Sequence, residues 1–309
     1  MVSDADVTNK VIVNLLLIAV GYLIKRVGLV RKEDARILNR IVLYITLPAV
    51  NLRVISETEL SWELFILPVM MLIAGLIMSR TGHWRGRALG LTKVDLGTFA
   101  ISFTGVMASL AYPFAEAAFG AEGVRTVAIS DLGNAIVIFG IAYALSFRYS
   151  QNGEFDARQV LKKVLTFFPL LAFLIAVILN LLCVDVCGLP GGLIDALGAM
   201  NSPLMLLSLG IYLDLDVSRS ELKVLGTQLL WKYALGAAVS VAGLLLLPFT
   251  GATRAMAFLL PLMPTSLSTL LYSVERDLNP RLAAMLISLT MLVSLAITLV
   301  ITLGFRHAF

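Results

Sequence analysis

The chain has 309 residues, of which 59% are hydrophobic and 14% charged, and its formal net charge is +4. About a quarter of the residues of a soluble domain are normally charged, so this composition excludes a soluble globular protein. The positive charge does not indicate nucleic-acid binding, because the basic residues stand between apolar blocks and form no long run.

Apolar blocks of about 20 residues, long enough to cross a bilayer as helices, recur along nearly the whole chain. The first residues, MVSDADVTNK, are acidic and lack the basic region of a cleavable signal peptide, so we expect the first span to direct insertion. We predict ten membrane-spanning helices in an all-α protein. In chain order they are 11–27, 38–55, 64–79, 96–119, 124–147, 164–184, 193–213, 222–249, 252–274 and 282–305.

Basic residues are distributed unevenly between the connections. The connections after odd-numbered spans carry 18 Lys and Arg residues, whereas those after even-numbered spans carry only 3, Arg53, Arg125 and Arg254. Basic connections stay in the cytoplasm. We therefore expect a multi-pass protein of the cytoplasmic membrane with both termini outside.

The longest polar connection, 148–163, divides the chain into two halves of five spans, 1–147 and 164–309. Halves with an odd number of spans enter the membrane from opposite sides, which is the condition for an inverted repeat. Prolines occur at related places, with Pro48 and Pro203 in the second and seventh spans and Pro113 and Pro264 in the fourth and ninth. A proline inside a span frees backbone groups that lipid cannot satisfy, so we predict broken helices at Pro113 and Pro264.

Asp131 and Asn134 are the polar pair of the fifth span, and their i, i+3 spacing places them on one helix face. A carboxylate inside a span is costly and indicates a functional site. A structural hydrogen bond in a wet outer vestibule is the alternative, because Asp131 lies only about two turns from the predicted outer end. A basic residue, Lys232, lies in the eighth span and could neutralise Asp131, attract an anion or reach the inner interface.

Hydroxyl groups follow the ninth-span proline and precede the fourth-span proline. Such groups can replace lost backbone partners at a helix break, contact a ligand, or bond to a neighbouring helix. The sequence thus predicts a substrate site in mid-membrane where the two breaks meet. Its candidate residues are Ser109, Pro113, Asp131, Asn134, Pro264, Thr265, Ser266 and Ser268.

No catalytic motif, phosphate-binding loop or metal-ligand cluster is apparent, so we expect no enzyme activity and no cofactor. The two cysteines, Cys183 and Cys187, have an i, i+4 spacing that fits disulfide geometry poorly, and we interpret them as packing residues. The main hypothesis is a secondary transporter of a small organic anion. An integral membrane enzyme and a membrane sensor are the alternatives.

Several segments resemble the auxin efflux carrier family. The segment LLIAVGYLIKRVGLVRKEDARILNRIVLYITLPAVNLRVIS is similar to the opening of that family, and SDLGNAIVIFG, NSPLMLLSLGIYL and MPTSLSTLLYSVERDLNPRLAAMLISLTMLVSL are similar to its fifth, seventh, and ninth and tenth spans. The resemblance covers nearly the whole chain.

The resemblance implies two inverted five-helix repeats and a fold similar to the bile acid sodium symporters. Spans 1, 2, 6 and 7 would form a scaffold, and spans 3–5 and 8–10 a moving transport domain. The resemblance also implies an elevator mechanism, a homodimer, and a carboxylate or auxin-like substrate. Coupling to a proton, to sodium or to neither stays open. Family members often carry an Asn, a Gly and an Asn where this chain has Val106, Ala111 and Ser268.

Overall fold

A computed structural model describes residues 4–31, 33–56, 65–150, 156–182, 184, 188–213 and 221–305. Within these ranges the regular secondary structure is entirely helical, as the sequence predicts. The α-helices are α1 Asp4–Arg26, α2 Ala35–Ile41, α3 Leu47–Ser56, α4 Ile66–Ala88, α5 Lys93–Phe103, α6 Ala111–Ala135, α7 Tyr143–Tyr149, α8 Ala157–Leu165, α9 Phe168–Leu181, α10 Gly188–Ala199, α11 Asn201–Tyr212, α12 Leu222–Leu246, α13 Gly251–Leu259, α14 Ser268–Glu275 and α15 Pro280–Val300.

Short 3₁₀ and π segments join or extend several of these helices. The π segments are Val42–Thr46, Ile136–Ala142 and Ile301–Phe305, and the 3₁₀ segments are Ala108–Leu110 and Leu260–Leu262. Because π segments often mark functional sites, the two that lie within the chain, after α2 and after α6, are of particular interest.

Seven of the described helical segments are long and apolar enough to cross a membrane. They are Ala5–Arg26, Ala35–Ser56, Ile66–Ala88, Ala108–Tyr149, Gly188–Tyr212, Leu222–Leu246 and Pro280–Leu303. The segment Ala108–Tyr149 has 42 residues and bends at Gly120, whose φ is 59°. Large apolar side chains such as Leu16, Leu181 and Leu246 are exposed on the outer helices. A protein surface of this kind suits lipid rather than water, so the chain is a multi-pass membrane protein.

The first, second, sixth and seventh predicted spans pack together. Helix α1 lies along α11, and α3 lies between α9 and α10. The contact of α1 with α11 is close because Gly210 lies against the Ile18 carbonyl, where a Cβ atom would come within 2.0 Å of the oxygen. Small residues at such contacts are typical of helices packed in membranes.

The other helices form a second group. Helix α4 packs against α5, α6 and α12, while α6 contacts α13, and α15 contacts α5 and α14. Contacts between the two groups run mainly through α6, which meets α1, α3 and α11. Helix α6 is therefore the main element that joins the two groups.

The fourth predicted span is broken between α5 and the 3₁₀ segment Ala108–Leu110, over Thr104–Met107. Gly105 has a φ of +84°, a conformation that favours glycine. The prediction that this break maps to Pro113 is wrong. Pro113 lies in the first turn of α6, where the constraint that proline places on the backbone is tolerated best.

The ninth predicted span is broken over Met263–Leu267, between the segment Leu260–Leu262 and α14. Here the prediction is confirmed, because Pro264 lies inside the break. Pro113 and Pro264 are therefore not equivalent positions. The residue that lies opposite the ninth-span break is Val106.

Several other boundaries differ from the sequence prediction, and two of them lie at polar connections. The third span continues to Ala88 instead of ending at Ser79. The polar connection 148–163 contains most of a helix, α8. This helix begins after Asp156, and the Asp156 side chain accepts hydrogen bonds from the backbone N–H groups of Arg158 and Gln159. Such capping makes a short helix favourable. Cys183 and Cys187 lie outside the described residues.

Candidate functional site

The two broken spans meet at their breaks. Val106 and Thr265 form an isolated antiparallel bridge, and the Met107 N–H donates to the Pro264 carbonyl at 2.8 Å. Backbone groups freed by a break must find partners inside a membrane. At this crossing, each break supplies part of what the other has lost.

The side chain of Asn134 completes the pairing of Val106. The Val106 N–H donates to Asn134 Oδ1, and Asn134 Nδ2 donates to the Val106 carbonyl, both at 2.9 Å. Asn134 Nδ2 also donates to Asp131 Oδ1 at 2.7 Å, which confirms that these two residues share a helix face. Asn134 is 2% exposed. The fifth span therefore holds the fourth-span break in shape through a buried amide.

A second buried amide, Gln228 of α12, holds the two breaks together from another side. Its Nε2 donates to the hydroxyl oxygens of Ser102 and Thr265, each at 2.9 Å. The Thr265 hydroxyl donates to the Ser102 carbonyl at 3.0 Å, and the Thr265 N–H donates to Thr290 Oγ1 at 3.1 Å. The hydroxyl and the backbone N–H of Thr265 are thus both used within the crossing itself.

A cavity of about 90 Å³ lies beside the crossing. Five of the eight predicted site residues line it, namely Ser109, Asp131, Asn134, Ser266 and Ser268. Pro113, Pro264 and Thr265 do not line it. Their places are structural. The Pro113 carbonyl accepts from Asn14 Nδ2 at 3.1 Å, the Pro264 carbonyl accepts from the Met107 N–H, and Thr265 forms the bridge with Val106.

The N-terminal ends of two half-helices face this cavity. Ala108 and Ser109 start the helical segment that leads into α6, and Ser266 and Leu267 directly precede α14. The Ser266 hydroxyl accepts from the Ser268 N–H at 3.3 Å. Helix N-termini carry partial positive charge and unpaired N–H groups, and they are therefore suited to bind an anion.

Lys232 lies on the other side of the crossing. It follows Gln228 by one turn of α12 and precedes Gly236, which lies against the Pro261 carbonyl. Lys232 is 1% exposed, and its Nζ has no hydrogen-bond partner among the described residues. Lys232 shares a face of α12 with Gln228 and Gly236, and it does not line the cavity.

A wider vestibule of about 310 Å³ adjoins the cavity. Asn39, Leu43, Leu267 and Ser268 line both spaces. The remaining wall of the vestibule includes two arginines one helical turn apart and two tyrosines: Arg36, Arg40, Tyr44 and Tyr212. The cavity is therefore reached through a passage that combines positive charge with apolar and aromatic surface.

The sequence did not single out three residues that shape this region. Gln228 is an uncharged amide in an apolar helix, and that contrast is a signal for a buried hydrogen-bonding role. Asn39, which accepts from the Ser208 hydroxyl at 2.8 Å, and Thr290 carry weaker signals, because isolated Asn and Thr residues commonly bond to neighbouring helices.

Helix breaks that meet beside a cavity, within a multi-pass helical membrane protein, are typical of membrane transporters. A family model described as "Membrane transport protein" matches residues 6–302, and the chain belongs to this family, that of the auxin efflux carriers. The chain is 28% identical over 298 residues to an uncharacterized transporter of Methanothermobacter thermautotrophicus, a match that covers 93% of this chain and 95% of the relative. An uncharacterized transporter of Methanocaldococcus jannaschii is 28% identical over 214 residues, 67% of this chain and 68% of the relative. The protein is thus a transporter and not an enzyme.

Proposed function

We propose that this protein is a secondary transporter that carries a small organic anion, such as a carboxylate or an auxin-like compound, across the cytoplasmic membrane. The observation that carries the proposal is the cavity at the crossing of the two broken spans. The N-termini of the two half-helices that face this cavity need a polar ligand or water as a partner inside a membrane.

The vestibule supports an anionic substrate with an apolar part. Arg36 and Arg40 raise the local concentration of anions at its mouth, and Tyr44, Tyr212 and Leu271 offer apolar contact. An anion that moves inward then meets Ser268 and Ser266, which have hydroxyl groups that can donate to a carboxylate.

The arrangement of helices supports an elevator mechanism. We take the group around α1, α3, α9 and α11 as the scaffold, and the group around α4–α7 and α12–α15 as the moving transport domain. The order of half-helix, break and half-helix occurs once in each half of the chain, at α5–α6 and at α13–α14, as ten spans in two inverted repeats require. The scaffold would pair with that of a second copy in a homodimer.

Contacts between the two groups fit a state that is closed to the outside. Ser202 of α11 donates to Glu116 Oε2 of α6 at 2.9 Å, and Asn14 of α1 donates to the Pro113 carbonyl. The vestibule opens beside Arg36 and Arg40, and basic residues mark the cytoplasmic side. We therefore propose an inward-open conformation with both termini outside the cell.

Uptake into liposomes tests the proposal. Purified protein sealed into liposomes should accumulate at least one radiolabelled solute from a panel of carboxylates, indoles and amino acids, and anionic members should be preferred. Protein-free liposomes are the control. Failure of every anion, together with uptake of a cation or of nothing, would contradict anion transport and would favour a sensor.

A further inference from the structure

The cavity at the crossing already contains a carboxylate. Asp131 lines the same space of about 90 Å³ as Ser109, Ser266 and Ser268. An organic anion held by these serines would therefore lie within a few ångströms of the Asp131 carboxyl group. Because two carboxylates at such a distance cannot both be ionised in a site of low dielectric, the pair must contain one proton.

Among the described residues, no other side chain that lines this space offers a balancing charge. Asp131 Oδ1 accepts from Asn134 Nδ2, and Asp131 forms no ion pair among the described residues. It is the one charged residue among those that line the cavity in the described part of the chain. Asn134 is itself committed to Val106, so it cannot turn toward a substrate without releasing the break.

In the part of the chain that the structure describes, the helices packed against α6 also bring no cation close to Asp131. Gly133 lies against Pro68 of α4, and the first charge of α4 after Pro68 is Arg80, more than three turns away. Thr253 of α13 bonds Thr126, which places Arg254 beside the outer part of α6. Tyr112 in the first turn of α6 is titratable as well, but its phenol carries no positive charge.

Other charged residues of the helices that contact α6 lie toward the helix ends, and α11 carries none. They are Asp4, Asp6, Lys10, Lys25 and Arg26 in α1, Arg53 in α3, and His83, Arg85 and Arg87 in α4. Arg36 and Arg40 line the vestibule and not the cavity. A proton is therefore the charge that the site needs from outside when an anion enters.

We propose that Asp131 is the proton-coupling residue, so that the anion binds together with one proton on the Asp131 carboxyl group. This inference rests on the proposed function. The proton comes from water in the vestibule and binds at Oδ2, because Oδ1 accepts from Asn134. The neutral carboxyl group then donates its O–H to the substrate carboxylate, and both the anion and the proton leave when the cavity opens to the other side.

Proton uptake on binding provides the test. The probes are indole-3-acetate, benzoate and acetate, titrated into purified wild-type protein in weakly buffered detergent solution with a pH indicator. We expect about one proton taken up per anion bound, and a dissociation constant that increases about tenfold per pH unit at alkaline pH. Asp131→Asn, which keeps an acceptor for Asn134, should bind without proton uptake and with an affinity that does not depend on pH.

The control is Glu122→Gln, on the same helix but exposed, and it should behave as wild type. Binding to wild type without proton uptake would overturn the inference, as would proton uptake that persists in Asp131→Asn or binding that requires sodium. Absence of binding of all three anions to both wild type and Asp131→Asn would contradict the proposed anion transport itself. Proton uptake by the wild-type protein tests the inference without any variant. The test therefore remains valid if Asp131→Asn does not fold.

Discussion

The amide of Asn134 pairs with both backbone groups of Val106, at 2.9 Å each, as a neighbouring strand residue would. The fourth span can therefore break in the middle of a membrane without leaving this peptide unsatisfied. Thr265 pairs with Val106 from the ninth span. The crossing thus depends on three spans that are far apart in sequence.

Replacing Asn134 with Ala should destabilise the protein. Two buried backbone groups lose their partner, and each costs about 1–3 kcal/mol when left unpaired. Thermal unfolding in detergent measures the loss. Asn180→Ala is a matched control, because Asn180 Nδ2 donates to the carbonyls of Ile55 and Ser56, away from the crossing. It should lower stability but retain transport, whereas Asn134→Ala should lose both. Normal transport by Asn134→Ala would show that the crossing does not need this amide.

Gln228 should matter for transport although it does not line the cavity. Gln228→Leu removes the donor that links Ser102 to Thr265, so the two breaks lose a shared partner and we expect at least a tenfold lower rate of uptake. Thr227→Ala is the control, since the Thr227 hydroxyl donates to the Lys223 carbonyl one turn earlier in its own helix and to no other group among the described residues. Equal uptake by the two variants would contradict a role for Gln228 in shaping the crossing.

The contact between Glu116 and Ser202 should separate during transport. In a protein with Cys183 and Cys187 replaced by Ser, the pair Glu116→Cys and Ser202→Cys can be joined by a short bifunctional thiol reagent. A spacer is needed because the Glu side chain is long and a direct disulfide requires closely spaced Cβ atoms. Cross-linking should abolish uptake, and reduction should restore it. Each single variant, treated in the same way, is the control, and undiminished uptake by the linked protein would argue against movement between the two helix groups.

Membrane orientation can be tested at two exposed positions, Lys162 of α8 and Ala121 beside the bend at Gly120. In the cysteine-free background, Ala121→Cys should react with a membrane-impermeant maleimide in intact cells. Lys162→Cys should react only after the cells are opened, because basic connections remain in the cytoplasm. The reverse pattern would overturn the predicted topology.

The sequence predicted the location of the ninth-span break and the pairing of Asp131 with Asn134, because both depend on local chemistry. Pro264 disrupts its own helix, and an i, i+3 pair shares a face wherever the helix lies. The fourth-span break was predicted wrongly at Pro113. Proline in a first helical turn causes no break, whereas the real break at Gly105 and Val106 is stabilised by Asn134 and Thr265.

Gln228 could not be assigned a role for a related reason. Its partners, Ser102 and Thr265, are distant in sequence and come together only through the crossing. Likewise, Thr265 looked like a ligand-binding hydroxyl beside Ser266. The fold buries it completely within the crossing and leaves Ser266 and Ser268 at the cavity.

The central claim is that substrate binds in the cavity at the crossing. The most direct test is to measure how tightly Ser266→Ala and Ser268→Ala bind the solute that the wild-type protein accumulates in liposomes. Each removes a hydroxyl that lines the cavity, and a lost hydrogen bond of about 1 kcal/mol weakens binding about fivefold. We predict a five- to tenfold higher dissociation constant for each variant, with unfolding temperatures close to wild type. Glu122→Gln, outside the cavity, should bind normally. Wild-type affinity in both serine variants would contradict the claim.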